Sequence, residues 1–203
     1  MKFTLLGDSI IDNGAYVAEH EPDVLEQVRL AIPKANVISA ARDGSTVQDV
    51  HRGQLGSLDG ADRLVLSAGG NNALWFISLF EDTTPVTATE TLNQLYGIIT
   101  DFRSSYSALL DKIFDRHIPA LVMTVYNPRL ELEWQSKEIQ RAAECALCLF
   151  NDVIQREANA RGFSILELRS LLNTPEDFAN PIEPSAVGGD RIAKAIANWV
   201  SEK

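Results

Sequence analysis

Five short apolar runs, separated by stretches whose apolar residues recur every three or four positions, constrain this 203-residue chain more than any other feature. The runs near 2–6, 36–40, 63–68, 119–125 and 163–167 have the length and the aliphatic content of buried strands. Strands alternating with amphipathic helices predict an α/β protein whose parallel sheet is covered on both faces. A first helix is expected at about 23–32, between Pro22 and Pro33, with Val24, Leu25, Val28 and Leu30 as its apolar side. A short helix and turn follow within 47–58, then long helices at about 88–116 and 137–161. A closing helix carries Ile192, Ala193, Ile196, Ala197 and Val200 toward the sheet. No repeat, low-complexity tract or linker interrupts the pattern, so residues 1–203 are expected to form a single domain.

Charge narrows the partners. The formal net charge is -10 and the pI is near 4.7, which argues against nucleic acid and against anionic membrane surfaces, since both attract basic patches. With neither a targeting segment at the start nor an apolar run long enough to span a bilayer, the chain reads as cytoplasmic. Oligomeric state is left open. Cys145 and Cys148 form a C-x-x-C inside the helical run 137–161, not at a helix start after a strand, and no further zinc ligands accompany them. They are expected to be semi-buried helix residues without chemistry.

The polar residues that follow the strands collect at one edge. Gly7-Asp8-Ser9-Ile10 comes directly off the first strand, at the carboxyl end where open α/β sheets place ligands, and a helix is expected to follow it. The second strand runs into Arg42-Asp43-Gly44-Ser45-Thr46, and the third into Gly69-Gly70-Asn71-Asn72. Ser, Gly and Asn thus reach one rim. The fourth strand opens into Tyr126-Asn127-Pro128-Arg129. After the fifth comes Asn180-Pro181-Ile182-Glu183-Pro184-Ser185, in which Pro184 suits a helix start and puts Glu183 at the rim. Asp8, Asn72 and Tyr126 are candidates for substrate contact, and the aromatic residues Trp75, Phe76 and Trp134 lie in or near the same loops. Residues 81–87 read as a mobile surface loop.

In order and over essentially the whole chain, these blocks resemble the SGNH, or GDSL-type, family of esterases and lipases. The resemblance implies a flavodoxin-like three-layer α/β/α sandwich with a five-stranded parallel sheet. It also implies a nucleophile at Ser9 and an oxyanion hole from the Ser9 amide, the Gly44 amide and the Asn71 side chain. The family's last block, D-x-x-H-P-S-x-x-G, is altered: Asn180 stands where the aspartate would be and Glu183 where the histidine base would be. His20, His51 and His117 are placed for surface or capping roles, not as replacements.

The two changes are coupled through charge. A neutral histidine beside an aspartate carries one negative charge at rest, as does Glu183 beside neutral Asn180, and either pair becomes neutral on accepting the serine proton. Aspartate retained beside a new glutamate would put two carboxylates in one site and raise both pKa values. Glu183 is therefore expected to act as the base, oriented by Asn180 or by backbone donors. Its weakness is basicity: an unperturbed glutamate, pKa about 4.3, trails histidine, about 6.5, by roughly 3 kcal/mol in proton affinity. The expected activity is that of a slow serine esterase acting on small, acetyl-like acyl groups of a small-molecule ester, with no cofactor or metal. The alternative is a catalytically lapsed relative that binds a small molecule in the old crevice. No Walker-type string supports phosphate handling, and Asp8, Asp12 and Asp43 read as scattered, with Asp12-Asn13-Gly14 as a turn.

Overall fold

A computed structural model describes residues 1–75, 87–130 and 137–201. Strands β1 (Lys2–Gly7), β2 (Asn36–Ser39), β3 (Arg63–Ser67), β4 (Ala120–Met123) and β5 (Ser164–Leu166) form one sheet in the order β2-β1-β3-β4-β5. Every pairing is parallel. All five fall where the apolar runs place them: β1 runs one residue further, and the other four are shorter by one to three residues.

Alternation along the strands sorts the core into two layers. Leu64 and Leu66 of β3 point to one face with Leu6 and Val122, against α2 (Val47–Gly53), α4 (Ala88–Phe114) and α5 (Lys137–Ala160), whose Val50, Tyr106, Leu110 and Ile154 are fully buried. Val65 points to the other face with Phe3, Leu5 and Met123, against α1 (Val24–Ala31), α6 (Leu168–Leu171) and α7 (Ala186–Ser201), which contribute Val28, Leu168, Ile192 and Trp199. The short α3 (Gly70–Leu74) follows β3. This is the three-layer α/β/α sandwich.

Two expectations about helices need correction. Leu30 is 74% exposed, because α1 buries the stripe Val24, Gln27 and Val28, and a residue six positions from Val24 falls on the far side. Gln27 is tolerated inside because its amide donates to the Pro22 and Ala186 carbonyls, joining α1 to the start of α7. The closing helix starts at Ala186, not at Pro184: Pro184 pairs with Phe178 in an isolated bridge, and Ser185 Oγ accepts from the Val187 and Gly188 amides as the cap.

The strand order reverses between β1 and β3, so the loops leaving them part company and open a crevice at the carboxyl edge. Gly7 and Ser67 are partners in register there, and the chains approach so closely that a Cβ on Gly7 would lie 1.9 Å from the Ser67 carbonyl oxygen. Among the described residues no helix is long and apolar enough to cross a membrane. Of the loop expected at 81–87 only Thr87 is described, as the N-cap of α4; 81–86, Phe76 and Trp134 lie outside the described residues.

Candidate active site

The first rim segment is a single hydrogen-bonded turn, not the start of a helix. The Ile11 and Asp12 amides both donate to the Asp8 carbonyl, and the next regular helix waits until Val24. Gln54, just past α2, holds Gly7 from both sides, accepting from its amide at 2.8 Å and donating to its carbonyl at 2.8 Å. Asp8 Oδ1 accepts from Ser67 Oγ at 2.9 Å and from the Ile10 amide at 3.2 Å. The turn is thereby fixed to β3 and α2, with Ser9 only 7% exposed.

The second and third rim loops are tied together. Gly44 adopts φ 75°, a left-handed turn that glycine enters without strain, and Asn71 Nδ2 donates to the Ser45 carbonyl at 3.0 Å, which leaves its second N–H. Asn72, expected to contact substrate, is directed elsewhere: its Oδ1 accepts from the Val47 amide and its Nδ2 donates to Gln48, so it caps α2. The first turn of a helix leaves amides without partners, and a neighbouring carboxamide satisfies one.

The segment bearing Glu183 is clamped from four directions. Asn180 Oδ1 accepts from the Ile182 and Glu183 amides at 2.9 and 3.0 Å, forming an Asx turn. Asn180 thus sets the backbone of Glu183 through the two amides it accepts. Tyr126 OH donates to the Ile182 carbonyl at 2.5 Å, and the Arg129 amide donates to Pro181. Asn13, fully buried, donates to the Pro184 carbonyl at 3.1 Å and accepts from the Val24 amide at 2.9 Å. A residue read as part of a simple turn therefore links the Ser9 loop, α1 and the Glu183 loop.

Ser9, Asp8, Asn71, Tyr126 and Glu183 line one cavity at this edge. Gly44 stands outside that lining, on the exposed rim. Tyr126 is buried, with its hydroxyl already engaged, so it forms wall more than a free donor. Trp75 is 72% exposed. None of the three histidines lines the cavity.

Electrostatics distinguish Glu183. It is 4% exposed and its Oε2 has no hydrogen-bond partner among the described residues. Burial is the main cause that pushes its carboxyl up from 4.5 to about 7; the negative charges of Asp8 and Asp43 add to the rise, while a side-chain hydrogen bond with Ser9 opposes it. Asp8 is raised to about 7 as well, by burial first, against the Ser67 and Ile10 hydrogen bonds. The acids that read as scattered are gathered: Asp12 Oδ2 accepts from the Asp43 amide, and Tyr16 donates to Asp43 at 2.7 Å. Even so, the described residues include no group of three or more His, Cys, Asp or Glu able to hold a metal ion. Cys145 and Cys148 are both exposed, where semi-buried positions were expected, on the outer face of α5.

The two raised carboxyls make a prediction about stability. A folded-state pKa above the unfolded value means the folded chain holds more protons between about pH 4 and pH 7, so this contribution is full below about pH 4 and is lost as pH rises through about 7. Asp8→Asn keeps the acceptor for Ser67 and the Ile10 amide while removing the charge. It should raise the melting temperature at pH 8 by roughly 3–6 °C and much less at pH 5, as read by calorimetry.

No family model and no curated protein matches the sequence. Solved structures do match: the lipase Lip_vut3 from goat rumen metagenome superposes with TM-score 0.75 at 16% identity, covering 98% of this chain and 96% of that one. An acetylxylan esterase from Geobacillus stearothermophilus gives TM-score 0.66 at 15% identity, over 98% and 93%. A GDSL-like lipase from Bacteroides thetaiotaomicron gives TM-score 0.58 at 15% identity, over 99% and 88%. The chain has the SGNH hydrolase fold. Within that SGNH sandwich, Ser9, Gly44 and Asn71 leave the ends of β1, β2 and β3, and Glu183 precedes the last helix.

Sequence reasoning missed Asn13, Gln54 and Ser67, which hold the site without facing it. Their signal is burial of a polar side chain, and a linear pattern does not display that.

Proposed function

We propose that the protein is a serine esterase in which Ser9 attacks the acyl carbonyl and Glu183 takes the hydroxyl proton. The observation that carries this reading is a buried carboxyl, one of whose oxygens has no partner among the described residues, in the same cavity as Ser9. The solved structures of this fold that are lipases and esterases support ester hydrolysis. Desolvation also removes the basicity problem: a carboxyl near 7 matches an ordinary histidine, the strength a general base needs at neutral pH.

In the forward step the Ser9 Oγ–carbon bond forms as its proton passes to Glu183. The charge that develops on the carbonyl oxygen is met by the Ser9 and Gly44 amides and the free N–H of Asn71. Collapse expels the alcohol, which takes the proton back from Glu183, and a water molecule repeats the sequence on the acyl-enzyme. Asn180 acts as a positioning residue through the two amides it accepts.

Three results are expected. The base must be ionised, so kcat/KM rises about tenfold per pH unit below pH 7 and levels above it, as a pH profile with an activated acetyl ester would record. Asn71→Ala should lower kcat about 10²-fold with little change in KM, because the lost N–H serves the transition state. A fluorophosphonate probe should label Ser9; absence of labelling together with measurable ligand binding would favour a lapsed binding module.

A further inference from the structure

Cys145 and Cys148 form a motif that ester hydrolysis does not use, and α5 presents both on its outer face, three positions apart and exposed. An α-helix holds such a pair with Cα atoms about 5 Å apart, inside the roughly 4.4–6.8 Å that disulfides span. Their Cβ atoms, about 5–6 Å apart, must close to about 3.5–4.5 Å before the sulfurs can bond. The turn then has to tighten toward 3₁₀ geometry, in which positions three apart eclipse and the rise grows from about 1.5 to about 2.0 Å per residue. Over three residues that shifts one end of the helix against the other by about 1.5 Å.

The turn lies between two clamps. Gln140 accepts from the Leu130 amide at 2.8 Å and donates to the Pro128 carbonyl at 2.7 Å. Asn151 accepts from the Val125 amide and donates to the Val125 carbonyl, both at 2.8 Å. Both side chains grip the loop that leaves β4, whose Val125, Tyr126 and Pro128 line the cavity beside Ser9. Ala146 and Leu147, enclosed by the two cysteines, line it too. Arg169 of α6 distinguishes the thiols, since its Nη1 donates to Cys148 Sγ at 3.9 Å. The Glu167 carboxylate pushes the Arg169 guanidinium above its usual range, against burial, and Cys148 adds to the rise. A fixed positive charge thus stands where an attacking thiolate forms.

We propose that Cys145 and Cys148 are a modification site, which a hydroperoxide converts to an intrahelical disulfide whose closure pulls the two clamps out of step and disorganises the cavity. The Cys148 thiolate attacks the peroxide: an S–O bond forms, the O–O bond breaks, and hydroxide leaves as water after taking a proton. Cys145 then attacks the sulfenic sulfur, forming the S–S bond and releasing the oxygen as a second water. The two thiols lose two electrons and the peroxide gains them. The effect on turnover rests on the reading of Ser9 as nucleophile; the disulfide and the shift of the loop do not.

The test treats the whole protein, Cys145→Ser and Cys148→Ser with hydrogen peroxide and reads intact mass, amide exchange across residues 125–130, and turnover of p-nitrophenyl acetate. Expected for wild type are a chain lighter by two hydrogen atoms without covalent dimers, exchange faster by about tenfold, and kcat/KM lower by at least tenfold, all reversed by dithiothreitol. Cys145→Ser should stop at a sulfenic acid on Cys148 that dimedone traps, with exchange unchanged, and Cys148→Ser should react at least tenfold more slowly. Failure to lose the two hydrogens, a disulfide between chains, or Cys148→Ser reacting as fast as wild type overturns the proposal. So does a disulfide that leaves both exchange and turnover unmoved. A disulfide that speeds exchange in a protein inactive on esters even when reduced supports the site and removes the hydrolase reading.

Discussion

Glu183→Gln is expected to cut kcat/KM on an activated short-chain ester by about 10³-fold, within an order of magnitude of the loss caused by Ser9→Ala. The two side chains share one cavity, and the glutamine has nearly the shape of the protonated acid, so folding is preserved while proton uptake is lost. Melting supplies the control. Because the folded state resists ionising Glu183, the amide should be at least as stable as wild type at pH 8, so lost activity with retained or raised melting temperature separates chemistry from unfolding. A Glu183→Gln enzyme that turns over like wild type removes the base assignment and leaves Ser9 to be judged separately. The reverse experiment is open as well. Asp at 180 keeps the oxygen that accepts from the Ile182 and Glu183 amides, so Asn180→Asp with Glu183→His should hold the loop and give a faster enzyme if the imidazole reaches Ser9.

Gly7→Ala should destabilise the fold by more than about 4 kcal/mol, enough to leave most of the chain insoluble on expression. The added methyl group would lie 1.9 Å from the Ser67 carbonyl oxygen, and that oxygen belongs to the central strand, so neither partner can yield without breaking the sheet. Its φ of 145° adds backbone strain for any L residue with a side chain. Gly44 is the contrast. A Cβ there meets nothing within 4 Å, so only the left-handed conformation is penalised and Gly44→Ala should cost about 1 kcal/mol. Chemical denaturation of the two variants decides the matter: similar midpoints for both would show that the β1–β3 approach is looser than described.

How much could be read beforehand follows from what each signal measures. Period-two and period-3.6 patterns report burial of apolar side chains, so the five strands and the long helices were legible to within a residue or two. Leu30 went wrong because a hydrophobic residue in a helical stretch was assigned to the inner face on chemistry alone, while Gln27 takes that place by hydrogen bonding both of its neighbours. Ser9, Asn71 and Glu183 could be brought to one rim because each sits a few residues past a strand end or before a helix, while the roles expected for them came from the resemblance. Asn72 could not be sorted from Asn71 that way, since adjacent carboxamides differ only in where the backbone aims them. The raised carboxyls at 8 and 183 were out of reach, because desolvation depends on what packs over a group and not on its sequence neighbours.

The clamp that Asn13 forms with the Pro184 carbonyl bears on the order in which a newborn chain acquires its chemistry. All five strands, and the alcohol at position nine, leave the ribosome before the segment that supplies the proton acceptor. On the proposed mechanism a nascent polypeptide can complete its sheet and still be inert toward esters, turning competent only when its last helix docks and draws that segment into place.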